Sequence, residues 1–260
     1  MKMGNSSCGF RDEDFLRIDK KGYKPTSFLQ KKLNELPTIN PVIAFYLKLI
    51  LFPAYLIYSR SLPIVKATKI SKQIRSLRYS NQFSALCLRT RLFFVFDLMS
   101  RVVILDEKRI NKRGQTYQNL RNEINKCKAL GYTSEIVLGE MAIELLDNYC
   151  LTRAGRNWRN ETRYSSGKYD CNIFACVGFN SDKEISALNA VIFTGPYAYM
   201  FFYSGLVKEN IRWLITEHAI EFAYNQGVSI FHTDNLLDVS IGSYIFQKEM
   251  GYKTVRLKFK

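Results

Sequence analysis

The sequence is poor in the residues that most often announce a chemistry. Only two histidines occur, His218 and His232. The six cysteines (Cys8, Cys87, Cys127, Cys150, Cys171 and Cys176) form no Cys-x-x-Cys pair, and none stands close to a histidine. That pattern excludes a Cys/His zinc module and gives no disulfide framework, so reduced thiols and no metal are expected. No Ser-His-Asp order, His-Glu-x-x-His run, phosphate-binding P-loop or dinucleotide glycine fingerprint is present, which leaves hydrolase, metalloprotease and kinase readings without support. The opening residues, MKMGNSSCGFRDEDF, lack the apolar centre of a secretory signal. The expected compartment is therefore the cytoplasm.

An unbroken apolar run of spanning length is also missing. The most apolar stretch, PVIAFYLKLILFPAYLIY over residues 41–58, is interrupted by Lys48 and Pro53. It falls slightly short of the roughly 20 residues a membrane helix needs. A buried core helix, a helix lying in a membrane interface and a single span all remain open for it. Tyr46, Tyr55, Tyr58 and the following cations suit an interface. A peripheral place at the inner face of an anionic membrane, through residues 41–80, is the corresponding expectation for partner and location.

What the sequence has in excess is positive charge on one side of its length. Residues 1–128 carry 25 Lys/Arg against 9 Asp/Glu, whereas residues 129–260 carry 13 against 14. The surplus is densest over residues 59–128, with 16 basic and 4 acidic side chains. Such a block draws phosphates, whether of nucleic acid, nucleotide cofactor or lipid, and is otherwise a solvated face. With 47% hydrophobic residues the chain can still bury a full core.

The organisation falls into three parts: a polar arm over 1–40, a basic, apolar-rich region over 41–105 and an α/β domain over 106–260. Lys66, Lys69, Lys72, Arg75 and Arg78 recur every third residue, a slowly drifting cationic stripe if helical. Residues 83–105 read as one or two buried strands. Residues 108–132 read as a helix burying Leu120, Ile124, Cys127 and Leu130 or Ala129, closed by Gly131. Thr133–Leu138 reads as a strand and Gly139–Arg153 as a helix with Met141, Leu145, Leu146, Tyr149 and Cys150 facing in. A basic loop, RAGRNWRNETRYSSGK, follows. Strands are predicted over 170–180, 185–194, 197–204, 228–233 and 252–259. Helices are predicted over 210–226, closed by Gly227, and 240–250, closed by Gly251.

Two stretches of this pattern resemble the GNAT superfamily of acyltransferases, and within it the Fem-type and BioF2-like peptidyl- and acyltransferases. In TYQNLRNEINKCKALGY, Arg121, Asn125, Lys126 and Gly131 align with part of the Fem-type pattern RxxIRKAxxxG, Asn125 standing at its second Arg. In WLITEHAIEFAYNQGVSIFHTDN and SIGSYIFQKEMGYK, Trp213, Ala219, Ala223, Gly227, Phe246, Lys248 and Gly251 hold the family's helix, turn, strand and final helix. The resemblance implies a mixed, mostly antiparallel sheet flanked by helices, with residues 41–105 as a degenerate first lobe. It also implies transfer of an acyl or aminoacyl group to an amine acceptor. The donor would be acyl-CoA, another acyl thioester or a charged tRNA, so RNA is among the implied partners.

In that superfamily a splayed strand pair opens a groove for the donor. Here the pair would be residues 197–204 and 228–233. The resemblance implies donor contacts from Tyr203, Ser204, Gly205, Leu206, Val207, Lys208, Asn210 and Lys248. Acceptor contacts would come from Arg156, Arg159, Arg163 and Tyr199. His232 or Asp234 would take the amine proton, and Tyr244 would protonate the leaving group. Each has a structural alternative: a hydrogen-bonded strand-end histidine, a helix N-cap, a core tyrosine and a solvated basic loop. Two departures stand out. Gly205–Asn210 holds a single glycine where coenzyme A-binding members have a glycine-rich phosphate cradle. The lysine of the family's Phe-Lys dipeptide is Gln247, with Lys248 one place on, about 100° round a helix. A non-catalytic module of the same fold, binding nucleic acid or anionic membrane through residues 59–128, is the competing reading.

Overall fold

The computed structural model describes residue 60 and residues 62–67, 100–151, 172–205, 210–236, 239 and 241–259. The readings on 1–58, on Lys69 to Arg78, on 83–99 and on the basic loop 153–168 lie outside the described residues, as do Leu206, Val207 and Lys208. Eight strands form one sheet: β1 Ile64–Ala67, β2 Ser100–Ile104, β3 Thr133–Leu138, β4 Asn172–Phe179, β5 Ile185–Thr194, β6 Tyr197–Gly205, β7 Ile230–Asn235 and β8 Lys253–Phe259. Their spatial order is β1-β8-β2-β7-β6-β5-β4-β3. Only β1/β8 and β6/β7 are parallel. The helices are α1 Glu107–Ile110, α2 Gln118–Ala129, α3 Gly139–Leu151, α4 Ile211–Asn225 and α5 Ile241–Glu249. The fold is thus the mixed, mostly antiparallel sheet flanked by helices that the element order implies.

Strands β4 and β5, NIFACVGF and ISALNAVIFT, are buried along almost their whole length on both faces. A strand covered on both sides reads as a continuous apolar run, and these do. Alternation then sorts side chains between two cores. Phe174, Cys176, Ala187 and Val191 meet α2 and α4 on one face. Ile173, Ala175, Val177 and Leu188 meet Ala142, Ile143 and Leu146 of α3 on the other. Gly195 at φ +51° and Pro196 close the β5–β6 hairpin in two residues. Asn180 builds the β4–β5 turn, its Oδ1 accepting from the backbone of Asp182 and Glu184. Helices α2, α4 and α5 end alike. A glycine at positive φ follows each (Gly131, Gly227, Gly251), and the next residue's N–H reaches back to Cys127, Ala223 or Gln247.

Four expectations are corrected. Residues 108–132 are not one helix: α1 ends at Ile110, Lys112 and Gly114 take positive φ, and α2 starts only at Gln118. The break lets Arg109 turn inward to a buried carboxylate, Glu217. Leu130 is exposed rather than buried, because the helix closes before it. Met141 is also exposed, at 70%, while Ala142 and Ile143 occupy the buried face instead. Finally, Lys66 lies in strand β1 beside β8, not on a helical stripe. Strands β1 and β2 join the same sheet as the elements beyond residue 106.

Candidate functional site

The sheet is opened at one place by its own strand pairing. Strands β6 and β7 pair only through Tyr197↔Ile230, Ala198↔Phe231 and Tyr199↔His232. Beyond Tyr199, β6 runs on to Gly205 held by β5 alone, and β7 runs on to Asn235 held by β2 alone. A bulge sits on each strand at the point of departure. The β5–β6 register shifts between Ala190 and Val191, leaving Phe201 as the extra residue. The β2–β7 register shifts between Ser100 and Val102, so Thr233 and Asp234 stand opposite Arg101. A bulge bends its strand and increases the local twist. Two of them on neighbouring strands turn the pair into a V, and the β6 backbone past Tyr199 has no ladder partner on β7.

His232 stands at the apex. It is fully buried, its Nδ1 hydrogen-bonded to the Tyr197 hydroxyl at 2.6 Å, with the Tyr199 ring 5.1 Å away. Asp234 lies one bulged step further along β7. Its Oδ2 accepts from the Gln247 amide at 2.7 Å and from the Thr233 hydroxyl at 3.2 Å. Gln247 in turn accepts at Oε1 from Arg101 Nε at 3.0 Å. Arg101 also donates to Thr254 Oγ1 and the Tyr252 carbonyl, and its guanidinium covers the Tyr244 ring at 4.7 Å. The structure therefore brings His232, Asp234 and Tyr244 to one end of β7 under α5, with Arg101 and Gln247 between the last two.

On the β6 arm, Tyr203 is half-buried. Burial pushes its hydroxyl up to about 12, with Arg212 pulling it partly back. At neutral pH it is a neutral donor. Ser204 is buried and hydrogen-bonded to the Tyr149 hydroxyl of α3 at 3.0 Å. Asn210, just before α4, directs its amide to Glu123 on α2 at 3.2 Å, and its carbonyl accepts from the Cys127 thiol. Lys248 is exposed on α5 and Tyr199 is buried beside His232. Gly205 ends β6. Arg156, Arg159 and Arg163 lie outside the described residues.

Sequence reasoning missed Arg101, Tyr197 and Arg212. Arg101 had a visible signal, a cation inside the apolar run DLMSRVVILD. Tyr197 had none, because a strand-initial tyrosine looks like ordinary sheet. Among the described residues, no three His, Cys, Asp or Glu side chains gather as a metal site. No described helix is long and apolar enough to cross a membrane.

No family model and no curated protein matches the sequence. Solved structures similar to this chain include the L-PGS of Bacillus licheniformis, at 14% identity and TM-score 0.42, covering 60% of this chain and 57% of that one. The C-terminal domain of a putative lysylphosphatidylglycerol synthetase from Agrobacterium fabrum is similar at 12% identity and TM-score 0.43, covering 60% and 58%. FemX is similar at 12% identity and TM-score 0.41, covering 61% and 59%. The matched region thus spans a little under three fifths of each of these structures.

Proposed function

We propose that the chain is an acyltransferase that moves an acyl or aminoacyl group from a polyanionic donor to an amine. One observation carries this reading: the β6/β7 pair comes apart at Tyr199↔His232, leaving a V-shaped opening whose β6 edge is unpaired with β7. Exposed strand edges bind extended ligands through backbone groups. An acyl donor with an extended arm would lie along β6, its carbonyl near the apex.

The chemistry asked of the chain is modest. The amine nitrogen attacks the acyl carbon and loses a proton, while the thiol or ribose oxygen leaves with one. Asp234 is the proton acceptor in this scheme, its Oδ2 held by Gln247 and Thr233. Tyr244 supplies the leaving group's proton, its ring held under the Arg101 guanidinium. His232, locked to Tyr197, orders the apex. Tyr203, Ser204, Gly205, Leu206, Val207, Lys208, Asn210 and Lys248 are the donor contacts in this proposal. Arg156, Arg159, Arg163 and Tyr199 are the acceptor contacts. The donor is a charged tRNA or an acyl thioester of coenzyme A or a carrier protein. The single glycine of Gly205–Asn210 favours donors without a pyrophosphate cradle.

The test is transfer to hydroxylamine as a generic amine acceptor, from charged tRNA and from acyl-CoA, with mass spectrometry of the purified full chain for a co-purifying donor. Asp234→Asn and Tyr244→Phe are expected to slow transfer by about 100-fold, the range of a lost general acid or base. Transfer unaffected by His232→Ala, Asp234→Ala and Tyr244→Phe would overturn the site. No transfer from any donor, with no donor bound, would favour the second reading. That reading, a non-catalytic module gripping RNA or anionic membrane, draws on the charge surplus of residues 59–128.

A further inference from the structure

On the helix-covered face of the sheet, at its β3 edge, α2, α4 and β3 border a solvent-open cavity of about 320 Å³. It lies three strand spacings from β6, about 14 Å at 4.8 Å per strand, and is separate from the V-shaped opening. Its volume is at the small end of ligand sites and equals roughly ten waters.

The charges around it do not cancel. Glu217 is held from beneath by Arg109 in a two-pronged pair, at 2.9 and 2.7 Å. Lys112 reaches Glu217 at 3.1 Å and Glu221 at 2.5 Å. Those two cations and two carboxylates balance one another. Arg121 and Lys128 also line the cavity and have no carboxylate partner among the described residues. They stand seven residues apart with Asn125 between them at i+4, so all three share one face of α2. Arg121 is aimed by one nitrogen, which donates to the carbonyls of Lys112 and Gly114. Its other donors remain.

Across the cavity, His218 of α4 meets Ser134 of β3, Nδ1 to Oγ at 2.9 Å. In the tautomer in which Ser134 donates to Nδ1, the imidazole carries its proton on Nε2 and offers a third donor. Ile124 and Leu214 supply the apolar wall.

We infer that this cavity is a second ligand site, built for a small phosphate-bearing molecule held by Arg121, Lys128 and His218. A guanidinium fork, an ammonium and an imidazole N–H from different elements suit a tetrahedral anion with several acceptor oxygens. The apolar wall suits the short organic body of a phosphomonoester. The site is independent of the proposed transfer chemistry.

The experiment titrates the full chain with inorganic phosphate and with phenyl phosphate, read by calorimetry and by amide NMR shifts. The two probes separate a bare anion site from one that uses the apolar wall. Shifts are expected at residues 121–128, 134 and 218, with phenyl phosphate the tighter ligand. Arg121→Gln/Lys128→Gln should weaken binding about tenfold or more, because two charge-assisted contacts go. Lys108→Gln/Arg113→Gln removes the same charge from exposed positions outside the cavity and should leave affinity nearly unchanged. Equal losses in both double variants would reduce the effect to general electrostatics and overturn the site. So would shifts elsewhere, or wild-type affinity in the cavity variant. Both pairs replace surface-reaching side chains, and thermal melting checks that each variant is folded.

Discussion

Arg109 heads the largest fully buried side chains, and its burial is compensated by one residue. Glu217 takes both guanidinium nitrogens, while Arg109 Nε caps the Met250 carbonyl at the end of α5. Removing one partner of such a pair strands a charge in the core. Glu217→Leu is expected to cost about 3–5 kcal/mol, whereas Arg109→Met/Glu217→Leu should recover most of it, since buried pairs exchanged for apolar residues are often near neutral. Urea unfolding of the three variants checks this. A second residue reports on pH. Burial lowers the His218 pKa below its usual 6.5, with Glu221 opposing. The unfolded chain therefore binds a proton more readily than the folded one. The contribution of neutral His218 is present above about pH 6.5 and is lost as pH falls through 6.5 toward the depressed folded value. The melting temperature of the wild type minus that of His218→Gln should fall over that window. A flat difference would show that the imidazole is not desolvated.

At the scale of elements, α4 is pressed onto the sheet at a residue with no side chain. A Cβ on Gly178 of β4 would come within 2.7 Å of Ile215 Cγ2 and 2.8 Å of Ile211 Cδ1. Gly178→Ala is expected to lift the helix and cost about 1–3 kcal/mol. Gly242 makes the contrast. It is exposed in α5, its added Cβ would meet nothing within 4 Å, and its φ is not positive. Gly242→Ala is expected to gain about 0.5–1 kcal/mol through helix propensity. Thermal melts of both variants test the pair. Most of these elements were legible, because period-2 and period-3.6 patterns and the three closing glycines survive in the sequence. The split between α1 and α2 was not. Its cause is the Arg109–Glu217 pair, a contact across 108 positions that leaves no trace in local periodicity. Met141 was misjudged for a related reason: Ala142 and Ile143 make an equally good apolar face, and only the docking of α3 on β4 chooses between them.

For the whole molecule, charge and site are divided along the chain. The surplus lies in residues 1–128, and residues 129–260, which form most of the V-shaped opening, are nearly neutral. Capture of a polyanionic donor should then weaken steeply as salt rises, with the slope set by the number of phosphates neutralised. Neutralising four Lys/Arg within residues 59–128 is expected to flatten that slope by about 3–4. Asp234→Asn should lower turnover and leave the slope alone. Binding measured from 50 to 300 mM salt, about the range in which such slopes are read, separates the two. A slope that responds to neither set would mean that the donor is not held by charge.

The sequence by itself determined most of the strand and helix order and the position of the charge, because these are written in local spacing, and its resemblance to a family named the candidates His232, Asp234 and Tyr244. Only the tertiary structure decided that β6 and β7 part at Tyr199↔His232, that Gln247 links Arg101 to Asp234, and that α2, α4 and β3 leave a cavity between them. Bulges, buried side-chain pairs and gaps between elements depend on register and packing between residues far apart in the chain, and a one-dimensional pattern does not encode them.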